Sequence, residues 1–174
     1  MEHLSIRTAT EKDLEGILEI YNDAILNTTA VYDYKPHTIE MRRKWFIDKQ
    51  VAGHPVLVAT IGDKVVGFVS YGFFRAWAAY KYTIEHSVYV HPNFRKRGIA
   101  RELLEMIIET ARQNNVHAII AGIDADNGIS IQLHKQFKFV EVGKFQQVGY
   151  KFGKWLDLTF MELLLDTPAN PSDN

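Results

Sequence analysis

No cysteine occurs among the 174 residues, so the chain can form no disulfide, no thiolate zinc site, no iron–sulfur cluster and no thiol nucleophile. Nor is there an excess of either charge: 20 Lys and Arg stand against 21 Asp and Glu, a formal net charge of -1. A dedicated nucleic-acid binder carries a basic surplus, so that class falls away. No run approaches the roughly 18 consecutive apolar residues of a membrane helix. The longest, over 116–123, is broken by His117 and Gly122. Residues 1–5 lack the basic patch and apolar run of a signal peptide, and the expectation is a soluble cytoplasmic protein with no membrane partner.

Several chemical motifs are missing too. There is no G-x-G-x-x-G and no H-E-x-x-H. Gly62-Asp63-Lys64-Val65-Val66-Gly67 has the glycine spacing of a P-loop, but Phe68-Val69 follow where Lys-Ser/Thr belong, which makes it a hairpin. Ser70 has Phe68 in place of the first glycine of a nucleophile elbow. The seven histidines are scattered, and no metal is expected.

The remainder reads as one mixed α/β domain over 1–165. Its length and 47% hydrophobic content suffice for a core. Alternation predicts a strand over 5–9. Thr10 can cap a helix with Asp13 in its first turn, and Leu14, Ile17, Leu18, Tyr21 and Ile25 recur at helical spacing to about 26. A second helix starts at Thr38 and carries Met41, Trp45 and Phe46. Strands are predicted over 56–61 and 64–74 around a tight Gly62-Asp63 turn, and over 82–90, where His91-Pro92 stop the run. A helix over 98–114 turns Ile99, Leu103, Ile107 and Ala111 to one side and its charges to the other. A strand over 117–123, a short helix over 128–137 and strands over 139–145 and 155–164 complete a chain whose first half is largely antiparallel. Residues 166–174, with two prolines, read as a loose tail.

Three features carry chemistry. Arg95, Lys96, Arg97 and Gly98 lie between a strand and a helix start. Backbone N–H groups there lack intrahelical partners, the dipole is positive, and glycine admits a bulky anion. This is a pyrophosphate site, or else a solvated basic turn. Glu85 interrupts a run of Tyr82, Thr83, Ile84, Val88 and Val90 in which Glu is out of place. Buried, its carboxyl becomes a better proton acceptor; on a half-exposed strand it merely faces water. Asn127, Ser130 and His134, at i, i+3 and i+7, share one stripe of the short helix. Ile129, Leu133 and Phe137 lie on another face that should pack inward.

Arg95-Lys96-Arg97-Gly98-Ile99-Ala100 matches the R/Q-x-x-G-x-G/A signature of the GNAT superfamily of acyl-CoA-dependent N-acetyltransferases, and the element order resembles that fold from Ile6 to about 165. Glu85-His86-Ser87-Val88-Tyr89-Val90, Leu133-His134 and residues 149–157 resemble the phosphinothricin and methionine sulfoximine acetyltransferase subfamily. The resemblance implies the GNAT fold, a mixed central sheet with a splayed strand pair and flanking helices. It implies acetyl-CoA as co-substrate, no metal, and a small amino-acid-like amine as acceptor. The backbone of Val88, Tyr89 and Val90 would hold the pantetheine arm. Arg95, Lys96, Arg97, Gly98, Ile99, Ala100 and Arg101 would hold the pyrophosphate, and Asn127, Ser130 and His134 would also face the cofactor.

By the same resemblance Glu85 is the base, directly or through a water. His134 stands where the wider superfamily often has a tyrosine as general acid, and can donate a proton or only hydrogen-bond the cofactor. Lys138 replaces the glycine that usually ends this helix, which weakens the expected left-handed cap. Tyr32, Arg75, Ala76, Trp77, Glu85, His86 and Ser87 would bind the acceptor, with Lys151 and Trp155 beside them. Arg75 either clamps a carboxylate or is a surface arginine on a loop. In the related enzymes the pocket lies near a twofold interface, which implies a homodimer. The alternatives are a same-fold enzyme for a polyamine, aminoglycoside or peptide N-terminus, and a non-catalytic CoA-binding module. A polycation would want an acidic pocket, and Glu85 near the pyrophosphate turn speaks against the module.

Overall fold

The computed structural model describes residues 3–173. Its strands are β1 (Leu4–Thr8), β2 (Val56–Ile61), β3 (Lys64–Phe73), β4 (Thr83–Val90), β5 (Ala118–Asp124), β6 (Val140–Lys151) and β7 (Lys154–Leu164); its helices are α1 (Leu14–Asn27), α2 (Ile39–Val51), α3 (Ile99–Gln113) and α4 (Gly128–Gln136). The strands hydrogen-bond in the order β1-β2-β3-β4-β5-β7-β6. The chain divides into two compact units. One is the chain up to Tyr71 with Ser87–Ile107; the other is Gly72–His86 with the chain from Ile108 onward. No helix among the described residues is long and apolar enough to cross a membrane.

In the first unit β1, β2 and β3 form an antiparallel meander. The cap expected at Thr10 forms on a short 3-10 turn (Glu11–Asp13) that leads into α1. The buried Asp13 carboxylate accepts from Thr10 N–H (2.7 Å) and from both terminal nitrogens of Arg7 (2.8 and 2.7 Å). Thr38 caps α2 by accepting from Met41 N–H (3.3 Å). Leu14, Ile17, Ile20, Phe46, Val58 and Phe68 make the core. Each such side chain contributes about 1.5–3 kcal/mol when removed from water. Gly67 is needed for close approach: a Cβ there would meet Tyr89 O and Leu103 Cδ1 at 3.0 Å.

In the second unit the first half of β4 runs parallel to β5, with Glu85 opposite Ile120. β5 and β7 pair antiparallel, as do β7 and β6. β6 runs well past the expected end at 145, because register shifts between Glu141 and Gly143 and between Phe145 and Gly149 let the pairing continue where the alternation fails. Asn127 caps α4 by accepting from Ser130 N–H (3.1 Å). The left-handed closure of α4 forms without glycine: Lys138 takes φ +68, its N–H bonds Lys135 O (3.0 Å), and Phe139 N–H bonds His134 O (3.1 Å). The inward face of α4 is mixed, with Leu133 and Phe137 half-buried on it. Ile129, expected to pack inward, is 82% exposed, while His134 is only 2% exposed. After β7 the chain keeps hydrogen bonds at Thr167, to His117 and Val116, and at Ser172, whose N–H donates to Tyr82 Oη (3.1 Å).

Candidate active site

The first unit carries the basic turn. A 3-10 turn (Pro92–Phe94) follows β4, and the buried His91 closes it by accepting from Asn93 N–H (3.2 Å) at Nδ1. Its other nitrogen, Nε2, then bears the proton and donates to Glu19 (3.1 Å). Lys96 and Gly98 both lie at positive φ, +62 and +82. The bonding of α3 begins with Arg101 N–H to Gly98 O (2.9 Å), so the N–H groups ahead of Arg101 have no carbonyl of their own helix to bond. A Cβ at Gly98 would meet no atom within 4 Å, so the space before the helix end is open. Open backbone N–H groups at a helix start are the kind of group that binds an anion. Arg95 is engaged otherwise than expected. Its guanidinium pairs with Asp23 of α1 (2.9 Å) and bonds Val90 O (3.3 Å), so it braces the turn against α1. Arg97 lies over the Phe94 ring at 4.9 Å.

The same unit holds a cavity of about 360 Å³ whose walls include Tyr21, Arg42, Trp45, Phe68, Ser87 and Tyr89. Of the sequence-predicted acceptor residues, Ser87 lines it; Tyr32 lies in the α1–α2 connection outside its walls. Arg42 is the residue that sequence reasoning missed. It is 2% exposed, with Cζ 3.9 Å above the Tyr21 ring and 4.6 Å above Trp45. Its Nη2 bonds His37 Nδ1 (3.2 Å), whose Nε2 reaches Asp33 (3.2 Å). Burial lowers the Arg42 pKa, and its Nε has no hydrogen-bond partner among the described residues. The sequence offers little to single it out, because Arg42 is the first of three consecutive cations, Arg42-Arg43-Lys44, ahead of Trp45.

In the second unit Glu85 is half-buried on β4, and burial raises its carboxyl pKa against the opposing charge of Arg75. Gly122 on β5 makes room for it: a Cβ at Gly122 would lie 3.1 Å from Glu85 Oε1. Arg75 stacks on the Phe74 ring (4.1 Å) and donates to Phe74 O (2.8 Å). Ala76 and Trp77 lie on the same exposed segment, Trp77 at 76% exposure. The structure therefore brings Arg75 and Glu85 into electrostatic reach, and leaves the tryptophan in water. Lys151 is buried, with its Nζ 5.0 Å from the Phe152 ring, and Trp155 is exposed.

His86 is not an open acceptor contact. It is buried on β4, and its Nε2 lies 3.0 Å from Nε2 of His134 on α4. Burial, with His134 beside it, pushes the His86 pKa down to about 3. Burial also lowers that of His134, against a hydrogen bond to Ser130 O. Asn127 spends its side-chain oxygen on the cap of α4. Among the described residues no three His, Asp or Glu side chains gather as metal ligands.

Comparisons with known proteins place the chain among acetyltransferases. An acetyltransferase (GNAT) domain model matches residues 6–160. The L-methionine sulfoximine/L-methionine sulfone acetyltransferase of Salmonella typhimurium is 42% identical over 168 residues, 97% of this chain and 98% of that protein. The solved structure of yncA from Salmonella typhimurium with its cofactor acetyl-CoA superposes with a TM-score of 0.93 at 42% identity, covering 97% of this chain and 98% of that one. A GNAT phosphinothricin acetyltransferase from Sinorhizobium meliloti in complex with acetyl-CoA gives a TM-score of 0.92 at 31% identity, covering 98% and 93%. With the signature turn on an α/β sheet of this strand order, the chain belongs to the GNAT acetyltransferase family.

Proposed function

We propose that this chain is an acetyl-CoA-dependent N-acetyltransferase acting on the α-amine of a small amino-acid-like acceptor of the methionine sulfoximine, methionine sulfone or phosphinothricin type. The observation that carries the chemistry is a half-buried Glu85 whose proton affinity is raised by burial, with the charged Arg75 near enough to oppose the shift. The activities of the relatives supply the acceptor class.

When bound, acetyl-CoA supplies an activated acetyl thioester. The turn of Lys96, Arg97 and Gly98 holds the pyrophosphate by backbone N–H groups and charge, and the main chain of Val88 and Val90 holds the pantetheine arm. Ile99, Ala100 and Arg101 give the turn its helix end. Asn127 and Ser130 fix the start of α4, the Asn127 side chain accepting from Ser130 N–H. Glu85 takes the proton of the acceptor ammonium, which makes the amine a nucleophile. Arg75 orients the acceptor by its carboxylate, a positioning effect.

The active form we propose is a homodimer. β6 is the last strand in the sheet order, and Val142, Phe145, Val148 and Trp155 on β6 and β7 are more than half exposed in the single chain. A second copy is the partner that would cover them.

The test is release of free thiol from acetyl-CoA across methionine sulfoximine, methionine sulfone, phosphinothricin, the common amino acids and spermidine. The expected order places the sulfoximine and sulfone first. Preference for spermidine would transfer the chain to the polyamine class, and absence of thiol release with every acceptor would leave only a CoA-binding module.

A further inference from the structure

His86 and His134 form a closed pair whose protons can be counted. Their rings stack with centroids 5.1 Å apart and planes inclined at 29°, and the two Nε2 atoms are 3.0 Å apart. That distance demands one proton between the rings, because two lone pairs or two N–H groups would repel. Nδ1 of His134 lies 2.7 Å from Ser130 O. A carbonyl oxygen only accepts, so His134 carries its proton on Nδ1. The longer 3.5 Å approach of Ser130 Oγ to the same nitrogen is the lesser contact. In neutral His134 the Nε2 atom is then a lone pair, and the proton between the rings belongs to His86. That leaves His86 Nδ1 as a buried lone pair, and it has no hydrogen-bond partner among the described residues. Phe139 packs on both rings, at 5.8 and 5.0 Å, and walls the pair with an apolar surface.

We infer that His86 is a positioning residue: its Nε2–H fixes His134 as the neutral Nδ1–H tautomer and occupies the one ring nitrogen through which His134 could act. His134 is thereby a strut that ties α4 to β4. It holds no Nε2 proton for a leaving thiolate, in contrast to the general-acid role that the family resemblance suggests. The unpartnered Nδ1 of His86 is the price of this arrangement: the only tautomer of His86 that serves His134 leaves its other nitrogen without a donor.

The role in turnover rests on the acetyltransferase reading; the tautomer assignment does not, which lets the two fail separately. Ring nitrogens of the full chain, labelled with ¹⁵N-histidine, report the tautomers directly by two-bond correlation spectra at pH 7. Expected are Nδ1–H for His134 and Nε2–H for His86, with both rings neutral. An Nε2–H or an imidazolium on His134 would overturn the inference. Two variants add a functional readout. His86→Gln retains an amide N–H donor near the place of Nε2 and should keep the His134 pattern. Its kcat should stay within about threefold of the wild type. His86→Phe keeps a ring but no donor; His134 should then show mixed tautomers, and kcat should fall about tenfold. A folded His86→Phe variant with the wild-type His134 pattern and wild-type kcat would refute the role of His86. Should that variant fail to fold, the wild-type and His86→Gln spectra still decide. If the wild-type chain transfers no acetyl group to any acceptor, the proposed function falls while the spectra continue to judge the pair.

Discussion

The turn after β4 and the histidine pair of β4 and α4 use polar groups in opposite ways. In the turn, Lys96, Arg97 and Gly98 are exposed, two of the three lie at positive φ, and the groups that matter are main-chain N–H. In the pair both side chains are buried, and what matters is which ring nitrogen bears a proton. An exposed cradle can change side chains as long as its backbone keeps its path. A buried polar pair accepts only residues that preserve the donor and acceptor count, since an orphaned buried group costs about 1–3 kcal/mol. Shape governs the first region and chemical identity the second.

Glu85 belongs with the second kind, and its replacement should have the largest effect. Glu85→Gln keeps the shape and loses the base. The expected loss in kcat is about 10²–10⁴, shrinking at high pH where more of the acceptor amine is already neutral. Initial rates from pH 6 to 10 measure it. Wild-type turnover by the glutamine variant at neutral pH would mean that shape suffices at Glu85 as well, and the contrast with the turn would break.

At the turn the order of sensitivity should be reversed. Gly98→Asp places a side chain and a negative charge on a residue at φ +82, beside the proposed pyrophosphate. Acetyl-CoA affinity should fall roughly ten- to a hundredfold, from strain and lost charge-assisted bonds together. Lys96→Ala removes an exposed charge and should cost only a few-fold. Titration calorimetry on both variants sharpens the comparison. Equal losses would mean that the lysine charge, not the backbone, builds the cradle.

This division also explains what could be read from the sequence. The turn is legible because everything it needs lies within seven consecutive residues, 95–101. The strand and helix order is legible for the same local reason. The pair is not, because its members are 48 residues apart and a polar stripe on a short helix ordinarily faces water. Ile129 and His134 exchange the sides that hydropathy assigns them. Arg95, expected at the pyrophosphate, is claimed by Asp23, 72 residues away. Arg42 reads as one more helical cation until Tyr21 and Trp45 close over it. The far half of β6 is hidden by bulges that interrupt its alternation.

The buried pair makes a smaller prediction about acid. His86 has its folded pKa lowered to about 3, so below pH ~6.5 the unfolded chain binds a proton that the folded chain refuses. Stability is therefore retained above that ordinary value and is lost as pH falls from it toward 3. From pH 7 to pH 5 one such histidine removes about 2 kcal/mol. His134, also lowered by burial, acts in the same direction. Urea midpoints at pH 7, 6 and 5 should fall steadily, and His86→Gln should make the decline shallower. A flat profile would mean that the pair admits a proton when folded, and would remove the chemical strictness claimed for it.

The smallest effect concerns two lysines in left-handed conformation, one in each region: Lys96 at φ +62 and Lys138 at φ +68. A left-handed residue with a Cβ costs about 1–2 kcal/mol, and glycine avoids most of it at the expense of a more flexible unfolded chain. Lys138 does nothing else visible in the closure of α4, whose bonds to Lys135 O and His134 O are made by main-chain N–H groups. Lys138→Gly should therefore stabilise the protein by about 1 kcal/mol, a rise of roughly 2–4 °C in Tm, and leave acetyl-CoA affinity unchanged. Lys96→Gly should gain similar stability while losing a few-fold in acetyl-CoA affinity, because there the side chain adds charge to the cradle. Thermal melts paired with calorimetry on the two variants separate the regions by function at equal backbone cost. If Lys138→Gly lowers Tm, the lysine side chain supports the end of α4, and its φ is not what limits stability at that helix end.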